Sequence, residues 1–231
     1  MYYDLGVMKF YRIYNKNIRR FQHSKILFRW IFGFSPSSAV WGQYWDWATI
    51  SLRKCLLRHS MPQMHILDMG CGPYGVLSRF AHGRLSPASI TAVDHCPELV
   101  AFANEHDPDS GIQYMYSDLF SAVQDKYDLI VFNAPYLVLE KGERLGLIPD
   151  ALSRKRFCGG IDGCDTIRRF LSECPKHLQE NGIVLLGVNH FHVGLGVLHA
   201  AISQSGLKPV RISSNPISNV CVYVLKERCN A

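Results

Sequence analysis

The sequence lacks the features that mark membrane-spanning, secreted and zinc-stabilised proteins. No apolar run approaches the ~18–20 residues that cross a bilayer, and the best candidate, residues 26–34, is short and contains Arg29. The opening Met1-Tyr-Tyr-Asp lacks the basic and then apolar layout of a signal peptide. The eight cysteines include no C-x-x-C pair, the spacing of a zinc ribbon. We therefore expect a cytoplasmic protein with no membrane span and with reduced, mostly buried thiols.

What is present is the composition of a folded domain with an uneven charge. Hydrophobic residues make up 48% and charged residues 19% of the 231 residues, which suits one α/β domain with a helical appendage. The formal net charge is +6, yet residues 1–60 alone hold ten Lys and Arg against Asp4 and Asp46 and so carry +8. The remaining residues therefore carry −2. We predict a basic, aromatic helical segment over residues 1–60 and a larger domain over residues 61–231.

The pattern of the basic segment predicts two helices. The first covers residues 7–34, with Phe21 on its apolar face and Gly33 near its end, and the second runs to about His59. The basic residues between 9 and 29 fit nucleic-acid phosphates, an anionic membrane surface or a solvated helix face, of which the last is the most common. Four aromatic residues either line a pocket or pack the second helix onto the sheet, and packing is favoured: Trp41, Tyr44, Trp45 and Trp47.

From residue 64 onward, short apolar runs alternate with stretches of helical pattern. Such alternation is typical of βαβ units and a mostly parallel sheet. The last two runs are separated by residues 214–219, too few for a crossover helix, so they should pair antiparallel. The sequence predicts an α/β fold with a Rossmann-like, seven-stranded, mostly parallel sheet, helices on both faces and an antiparallel C-terminal hairpin. The predicted strands are residues 65–69, 89–93, 113–116, 129–132, 183–188, 208–213 and 220–225, and the predicted crossover helices are residues 76–82, 97–106 and 166–179.

A glycine loop ends the first predicted strand and opens a helix. Gly70, Gly72 and Gly75 satisfy G-x-G-x-x-G, in which glycine lets a ligand approach backbone N–H groups closely. A dinucleotide is the obvious competing ligand, but Asp68 precedes the loop by two residues and would repel a pyrophosphate. Asp94 ends the next strand, where a carboxylate accepts hydrogen bonds from ribose hydroxyls. The loop therefore favours a ligand with an amino group and a sulfonium.

Together, Asp68-x-Gly70-x-Gly72 and Asp94 resemble the cofactor signature of the class I S-adenosylmethionine methyltransferases, whose sheet also ends in an antiparallel hairpin. The resemblance implies binding of S-adenosyl-L-methionine and of its product S-adenosyl-L-homocysteine. Asp68 and Gly70 would lie near the methionine, and Asp94 would hold the ribose. His95 would flank the adenine, and Asp118 would accept from the adenine amine. The full set of implied cofactor contacts is Asp68, Gly70, Cys71, Gly72, Asp94, His95, Asp118, Leu119 and Asn133.

Asp118 has a competing interpretation, because Asp at a strand–helix turn is often a helix N-cap. The ligand role is favoured because the other positions of the signature agree with it.

The tetrapeptide Asn133-Ala-Pro-Tyr136 follows the fourth predicted strand and resembles the Asn-Pro-Pro-Tyr motif of methyltransferases that act on planar nitrogens. Such a nitrogen is a poor nucleophile because its lone pair is delocalised, and two acceptors on its N–H bonds free that lone pair. In the family these acceptors are the Asn oxygen and the carbonyl of the next residue, here Ala134, while Tyr136 packs on the flat group. Pro135 biases Ala134 to extended backbone. The competing interpretation is a β-turn; after a cofactor loop, a catalytic role is favoured.

A third block, Cys158-Gly-Gly-Ile-Asp162-Gly-Cys-Asp165, resembles the Gly-Gly-x-Asp-Gly-x-Asp run of HemK-type protein-glutamine methyltransferases. The resemblance then extends over residues 64–190. As structure alone, the block is a glycine turn in which Asp165 caps the next helix. HemK-type enzymes carry an N-terminal helical bundle that recognises release factors, and residues 1–60 show no similarity to it. The resemblance therefore implies the reaction type, N-methylation, but not the partner.

Three functions remain open at this point. The favoured one is N-methylation of a planar nitrogen, an amide or exocyclic amine, in a protein glutamine or a small molecule. The second is O- or N-methylation of a small molecule in specialised metabolism, with residues 1–60 as a lid and His190 or His192 as a base of near-neutral pKa. The third, of another class, is a protein that binds or modifies RNA through its basic helix; nucleic acid is not favoured, because no RNA-binding module is recognisable.

His190 and His192 lack a third ligand at sensible spacing, so no metal site is expected.

Overall fold

Seven strands form one sheet at the centre of the molecule. The computed structural model describes residues 21–36, 44–215 and 218–228. The strands are β1 His65–Met69, β2 Ser89–Asp94, β3 Ile112–Tyr116, β4 Tyr127–Asn133, β5 Leu178–Asn189, β6 Leu207–Ser214 and β7 Val220–Glu227. Their order is β3-β2-β1-β4-β5-β7-β6, and every pairing is parallel except the two made by β7. The predicted fold class, including the antiparallel C-terminal hairpin, is confirmed.

Helices cover both faces of the sheet, as predicted. They are α1 Lys25–Phe32, α2 Trp47–His59, α3 Val76–Leu85, α4 Pro97–His106, α5 Leu139–Arg144, α6 Ala151–Phe157, α7 Asp165–Glu173 and α8 Leu195–Gln204. Successive strand residues face opposite sides, so Ile66 of β1 joins a core with Leu56 and Phe80, whereas Leu67 joins a core with Phe170 and Leu198. Two apolar cores therefore sandwich the sheet.

The single helix predicted over residues 7–34 is wrong at Ser24, where a new helix begins. The Ser24 side chain accepts a hydrogen bond from the backbone N–H of Leu27 at 3.3 Å and caps α1. Such a cap holds the backbone extended, which no continuous helix allows. Phe21, predicted on the apolar face, is 60% exposed, and Gly33 ends α1 with a left-handed φ of 85°. Residues 7–20 of the predicted helix lie outside the described residues.

The helix predicted over residues 166–179 is also too long. Helix α7 ends at Glu173 and gives way to a 3₁₀ turn, Cys174–His177, after which β5 begins at Leu178. Pro175 explains the change, because proline has no N–H to donate and its ring clashes with the preceding helical turn. The second N-terminal helix, by contrast, ends at His59 as predicted.

The described part of residues 1–60 packs directly on the sheet. Phe28 and Phe32 of α1 and Leu52 of α2 belong to the same apolar core as β1 and β4. A Cβ at Gly187 of β5 would meet the Leu52 side chain at 2.9 Å, so glycine there permits the close approach of α2. Arg29 is exposed, which fits the solvated-face interpretation of the basic residues. The domain boundary at residue 60 stays a prediction.

The described residues bear on two expectations from the sequence, the lack of a membrane span and the burial of reduced thiols. Within the described ranges, no helix has both the length and the apolar character needed to cross a bilayer. The seven cysteines in those ranges are all free thiols, and five of them are buried. Reduced, mostly buried cysteines were expected from their spacing.

Candidate active site

One cavity of about 650 Å³ brings all the predicted site residues together. It lies where β1, β2 and β4 end, beside the switch point between β1 and β4 at which the strand order reverses. The predicted residues that line it are Asp68, Gly70, Cys71, Gly72, Asp94, His95, Asp118, Leu119, Asn133, Ala134, Pro135 and Tyr136. The carboxyl ends of parallel strands thus place a glycine loop and the tetrapeptide on the same opening.

The glycine loop adopts the backbone that its sequence predicts. Gly70 and Gly72 have φ values of 68° and 64°, in the left-handed region that favours glycine. The backbone N–H groups of Gly70 and Cys71 donate to the carbonyl of Val93 at 2.8 and 3.0 Å. These bonds tie the loop to the end of β2.

Asp94 holds the glycine loop from the next strand. Its Oδ2 accepts from the backbone N–H of Gly72 at 3.0 Å, and its Oδ1 accepts from that of Cys96 at 2.9 Å. Each carboxylate oxygen accepts more than one bond, so capacity for ribose hydroxyls is left. His95 is partly exposed beside it at the cavity edge, with Nδ1 at 3.6 Å from Asp94 Oδ1.

Asp68 is the buried carboxyl group of the cavity. Its Oδ2 accepts from the backbone N–H of Ser78 at 3.0 Å and from the Ser78 hydroxyl at 2.5 Å. Burial raises the pKa of Asp68 to about 7, although the two bonds from Ser78 act to lower it. A nearby cation would favour the ionised form, so this carboxyl group suits a positively charged ligand.

Asp118 is exposed and forms an ion pair with Arg169 at 2.8 Å. The competing interpretation as a helix N-cap is wrong, because a short turn rather than a helix follows β3. The Ser121 hydroxyl closes that turn by accepting from the backbone N–H of Asp118 at 3.1 Å. Leu119 next to it is buried, with a left-handed φ of 52°.

Asp94, His95 and Cys96 place potential metal ligands within 4.8 Å of one another. Burial raises the pKa of Cys96 to about 11, so its thiol is protonated at neutral pH when no metal is bound.

Asn133 ends β4 with its two side-chain atoms in different surroundings. Its Nδ2 donates to Asp46 Oδ1 at 3.2 Å and to Thr49 Oγ1 at 3.3 Å. Its Oδ1 is buried and has no hydrogen-bond partner among the described residues. Buried acceptors are normally satisfied, so this oxygen is available to a donor that the described residues do not supply.

Asp46 and Thr49 line the cavity and contact Asn133, although sequence reasoning did not identify them. They form a capping box at the start of α2, in which each side chain bonds the backbone N–H of the other residue. Asp46 Oδ2 also accepts from the Tyr136 hydroxyl at 3.2 Å. The Asp-x-x-Thr spacing does signal a helix start, but nothing in it signals contact with residues 87 and 90 positions away.

The neighbouring histidines do not suit the role of general base. His192 is buried, its ring stacks on that of Tyr136 at 5.8 Å, and burial, assisted by Lys141, lowers its pKa to about 3. Both ring nitrogens of His190 are engaged, Nδ1 with the Val193 carbonyl at 3.0 Å and Nε2 with the Tyr223 hydroxyl at 2.9 Å. These contacts therefore do not favour a histidine base for oxygen methylation, which stays a prediction.

The glycine block packs against the backbone of the tetrapeptide. A Cβ at Gly159 would meet the carbonyl oxygen of Pro135 at 2.6 Å, and one at Gly163 would meet that of Tyr136 at 2.6 Å. The prediction that Asp165 caps α7 is wrong, because Cys164 is the N-cap residue. Asp165 instead accepts from the backbone N–H of Ile161 at 3.1 Å and from Arg168, so it closes the turn that supports the tetrapeptide.

The aromatic residues before α2 both pack and line the cavity. Tyr44 and Trp45 are buried in the core, as favoured from the sequence, and with Trp47 they also form part of the cavity wall. Trp41 lies outside the described residues.

Comparisons with known proteins agree with this geometry. Residues 37–145 match the family model described as methyltransferase small domain. The chain is 34% identical to a protein of Methanocaldococcus jannaschii provisionally named as a protein N5-glutamine methyltransferase, over 52% of this chain and 58% of that protein. It is 33% identical to the ribosomal protein uL3 glutamine methyltransferase of Bradyrhizobium diazoefficiens, over 55% of this chain and 41% of that protein. The chain thus matches only part of the length of these relatives.

The fold has a close counterpart among solved structures. A methyltransferase from Pyrococcus furiosus superposes with a TM-score of 0.66 at 16% identity, covering 91% of this chain and 96% of that one. The resemblance to class I methyltransferases of the HemK type, drawn from the glycine loop and the tetrapeptide, is confirmed.

Proposed function

We propose that this chain methylates the planar nitrogen of a glutamine side chain in a protein, because residues 37–145 match the methyltransferase small domain model and the sheet has the order β3-β2-β1-β4-β5-β7-β6. The favoured donor is S-adenosyl-L-methionine, which supplies an electrophilic methyl group when bound. Glutamine is favoured over other planar nitrogens because the relatives that match this chain are named for glutamine substrates. A substrate in the translation apparatus would agree with the cytoplasmic location expected from the sequence.

The observation that carries the proposal is the unpartnered Oδ1 of Asn133 in the cavity wall. A primary amide nitrogen carries two N–H donors and a delocalised lone pair. An acceptor fixed at one of these N–H bonds forms its strongest hydrogen bond in the transition state, because the nitrogen then loses conjugation and its N–H groups become more acidic. The Ala134 carbonyl is the proposed second acceptor, and the Tyr136 ring the surface on which the flat amide packs.

The residues present also fit the proposed cofactor. Asp68 would face the methionine amino group and Asp94 would accept from the ribose hydroxyls. Gly70, Cys71 and Gly72 would let the ligand approach the loop closely. His95, Asp118 and Leu119 would surround the adenine, with Arg169 holding Asp118 in place.

The test combines binding with methyl transfer. Calorimetry on the full chain should detect S-adenosylhomocysteine and no NADH. Transfer of labelled methyl groups should occur to glutamine-containing peptides and not to matched peptides with glutamate in place of glutamine. Asn133→Ala should lower kcat by about 10²–10³-fold with KM little changed, by analogy with loss of an oxyanion-hole donor.

The control is S-adenosylhomocysteine affinity, which Asn133→Ala should weaken by about tenfold at most, far less than it lowers kcat, because Asn133 is one of nine implied cofactor contacts. Normal turnover of Asn133→Ala would refute the planar-nitrogen mechanism, and NADH binding without S-adenosylhomocysteine binding would refute the cofactor.

A further inference from the structure

Asp46 connects three parts of the cavity wall through one carboxylate group. Oδ1 accepts from the backbone N–H and the hydroxyl of Thr49 at 2.7 Å each, and from Asn133 Nδ2 at 3.2 Å. Oδ2 accepts from the hydroxyl of Tyr136 at 3.2 Å. The start of α2, the end of β4 and the loop after β4 are therefore held relative to one another by a single side chain.

These contacts decide which end of the Asn133 amide faces the carboxylate. A carboxylate only accepts hydrogen bonds, so it selects the NH₂ end of an amide. The hydroxyl of Thr49 donates a hydrogen bond to Asp46 and accepts one from Asn133 Nδ2 at 3.3 Å. An amide turned by 180° would place its oxygen against two acceptors. The orientation that leaves Oδ1 unpartnered is therefore the one that Asp46 enforces.

We propose that Asp46 is a positioning residue, which fixes the acceptor end of Asn133 and the ring of Tyr136 for the methyl-accepting nitrogen. This inference rests on the proposed glutamine methylation. Asp46, which precedes β1 in the chain, makes Asn133 act as a hydrogen-bond acceptor toward the cavity. An acceptor there recognises the N–H group of glutamine and disfavours the carboxylate of glutamate.

The experiment must separate positioning from helix capping, because Asp46 does both. Serine, asparagine and aspartate are N-caps of similar quality, so a capping role predicts equal behaviour of wild type, Asp46→Ser and Asp46→Asn. Asparagine keeps an Oδ1 that reaches Asn133, whereas serine is too short. We expect Asp46→Ser to lower kcat on glutamine peptides about tenfold, with KM little changed and with Asp46→Asn retaining more activity.

Two further variants sharpen the comparison. If Asp46 acts through Asn133, the double variant Asp46→Ser/Asn133→Ala should be no slower than Asn133→Ala alone. Ser24→Ala removes a cap whose side-chain hydrogen bond runs to Leu27 within the neighbouring helix α1, so it should lower the melting temperature and leave kcat unchanged. Wild-type kcat in Asp46→Ser, or a full additional loss in the double variant, would overturn the proposal.

A second measurement does not depend on the substrate. The Asn133 side-chain NH₂ signals in a ¹⁵N–¹H spectrum of the full chain should shift and exchange faster in Asp46→Ser than in wild type, and those of Asp46→Asn should change less. Unchanged signals in Asp46→Ser would show that Asp46 does not hold the amide. If the wild type methylates no glutamine peptide, the proposed function fails, and these signals alone decide whether Asp46 orients Asn133.

Discussion

Asn133 donates to Asp46, and its acceptor oxygen has no partner among the described residues. This asymmetry predicts the order in which Asn133 variants lose activity. Aspartate has nearly the same shape as asparagine and keeps an acceptor, so the sequence alone favours Asn133→Asp as milder than Asn133→Ala. The structure reverses that order, because the substituted carboxylate would lie against the carboxylate of Asp46. We expect Asn133→Asp to be slower than Asn133→Ala at pH 8 and to recover as the pH falls, when the carboxylate pair gains a proton.

Steady-state rates between pH 6 and pH 8 check this order. A pH profile of Asn133→Asp parallel to that of wild type would contradict it.

Asp68 links cofactor binding to stability through its raised pKa. Burial places the folded-state pKa at about 7, above the ordinary value of about 3.9. Folding therefore favours the protonated form, and the contribution of Asp68 to stability is lost as the pH rises from about 4 to 7 and is constant above that range. Asparagine has no such titration. We expect the melting temperature of Asp68→Asn, relative to that of wild type, to be higher at pH 8 than at pH 5. The variant should also bind S-adenosylhomocysteine more weakly than wild type does.

Melting curves at pH 5 and pH 8 measure this difference, in which the other titrating groups cancel. An equal pH dependence in wild type and variant would contradict the role of Asp68.

At the scale of single residues, the sequence predicted which glycine-loop and tetrapeptide residues lie together at the cavity. The glycine loop and the tetrapeptide are local patterns whose residue types the chemistry requires, and every residue predicted from them lines the cavity. Asp46 could not be predicted, because its spacing to Thr49 is fully explained by a helix start. Its contact with Asn133 depends on how α2 packs, and local spacing does not carry that information.

At the scale of helices, α1 behaves as part of the core. Phe28 is fully buried, and its ring lies 4.8 Å from that of Phe32 and 5.4 Å from that of Tyr44. Phe28→Ala should lower the free energy of unfolding by about 3–5 kcal/mol. The matched control is Phe21→Ala, because Phe21 is 60% exposed and should change stability by less than about 0.5 kcal/mol.

Denaturant unfolding distinguishes these two variants, although the sequence pattern placed Phe21 on the apolar face. Equal effects would contradict the packing of α1. Removal of residues 1–34 should for the same reason destabilise the sheet rather than open a lid.

Helix boundaries were predictable where one residue type decides them. Helix α4 begins at Pro97 as predicted, because proline fits the first turn of a helix. The boundaries that differed, at Ser24 and Pro175, depend on a side-chain cap and on a missing N–H within otherwise helical patterns. Periodicity averages over such positions and therefore extends helices across them.

At the scale of the whole molecule, the fold followed from the alternation of strands and helices and from one short connection. Residues 214–219 are too short for a crossover, and this fact alone predicted the reversed direction of β7. The packing of α1 on the sheet did not follow, because an amphipathic helix shows which face is apolar and not where that face docks.

The position of β7 between β5 and β6 also affects how the chain folds during its synthesis. Strand β6 leaves the ribosome before β7, yet its neighbour in the sheet is β7, so β6 has no strand to pair with when it emerges. Until β7 follows, β5 presents an open edge of apolar residues, which is a template for pairing with another chain. The nascent protein therefore passes through a stage in which cofactor loop, tetrapeptide and α2 are already made but the sheet is unfinished. Translation speed and chaperones that shield exposed strands then act on one late event, the insertion of β7.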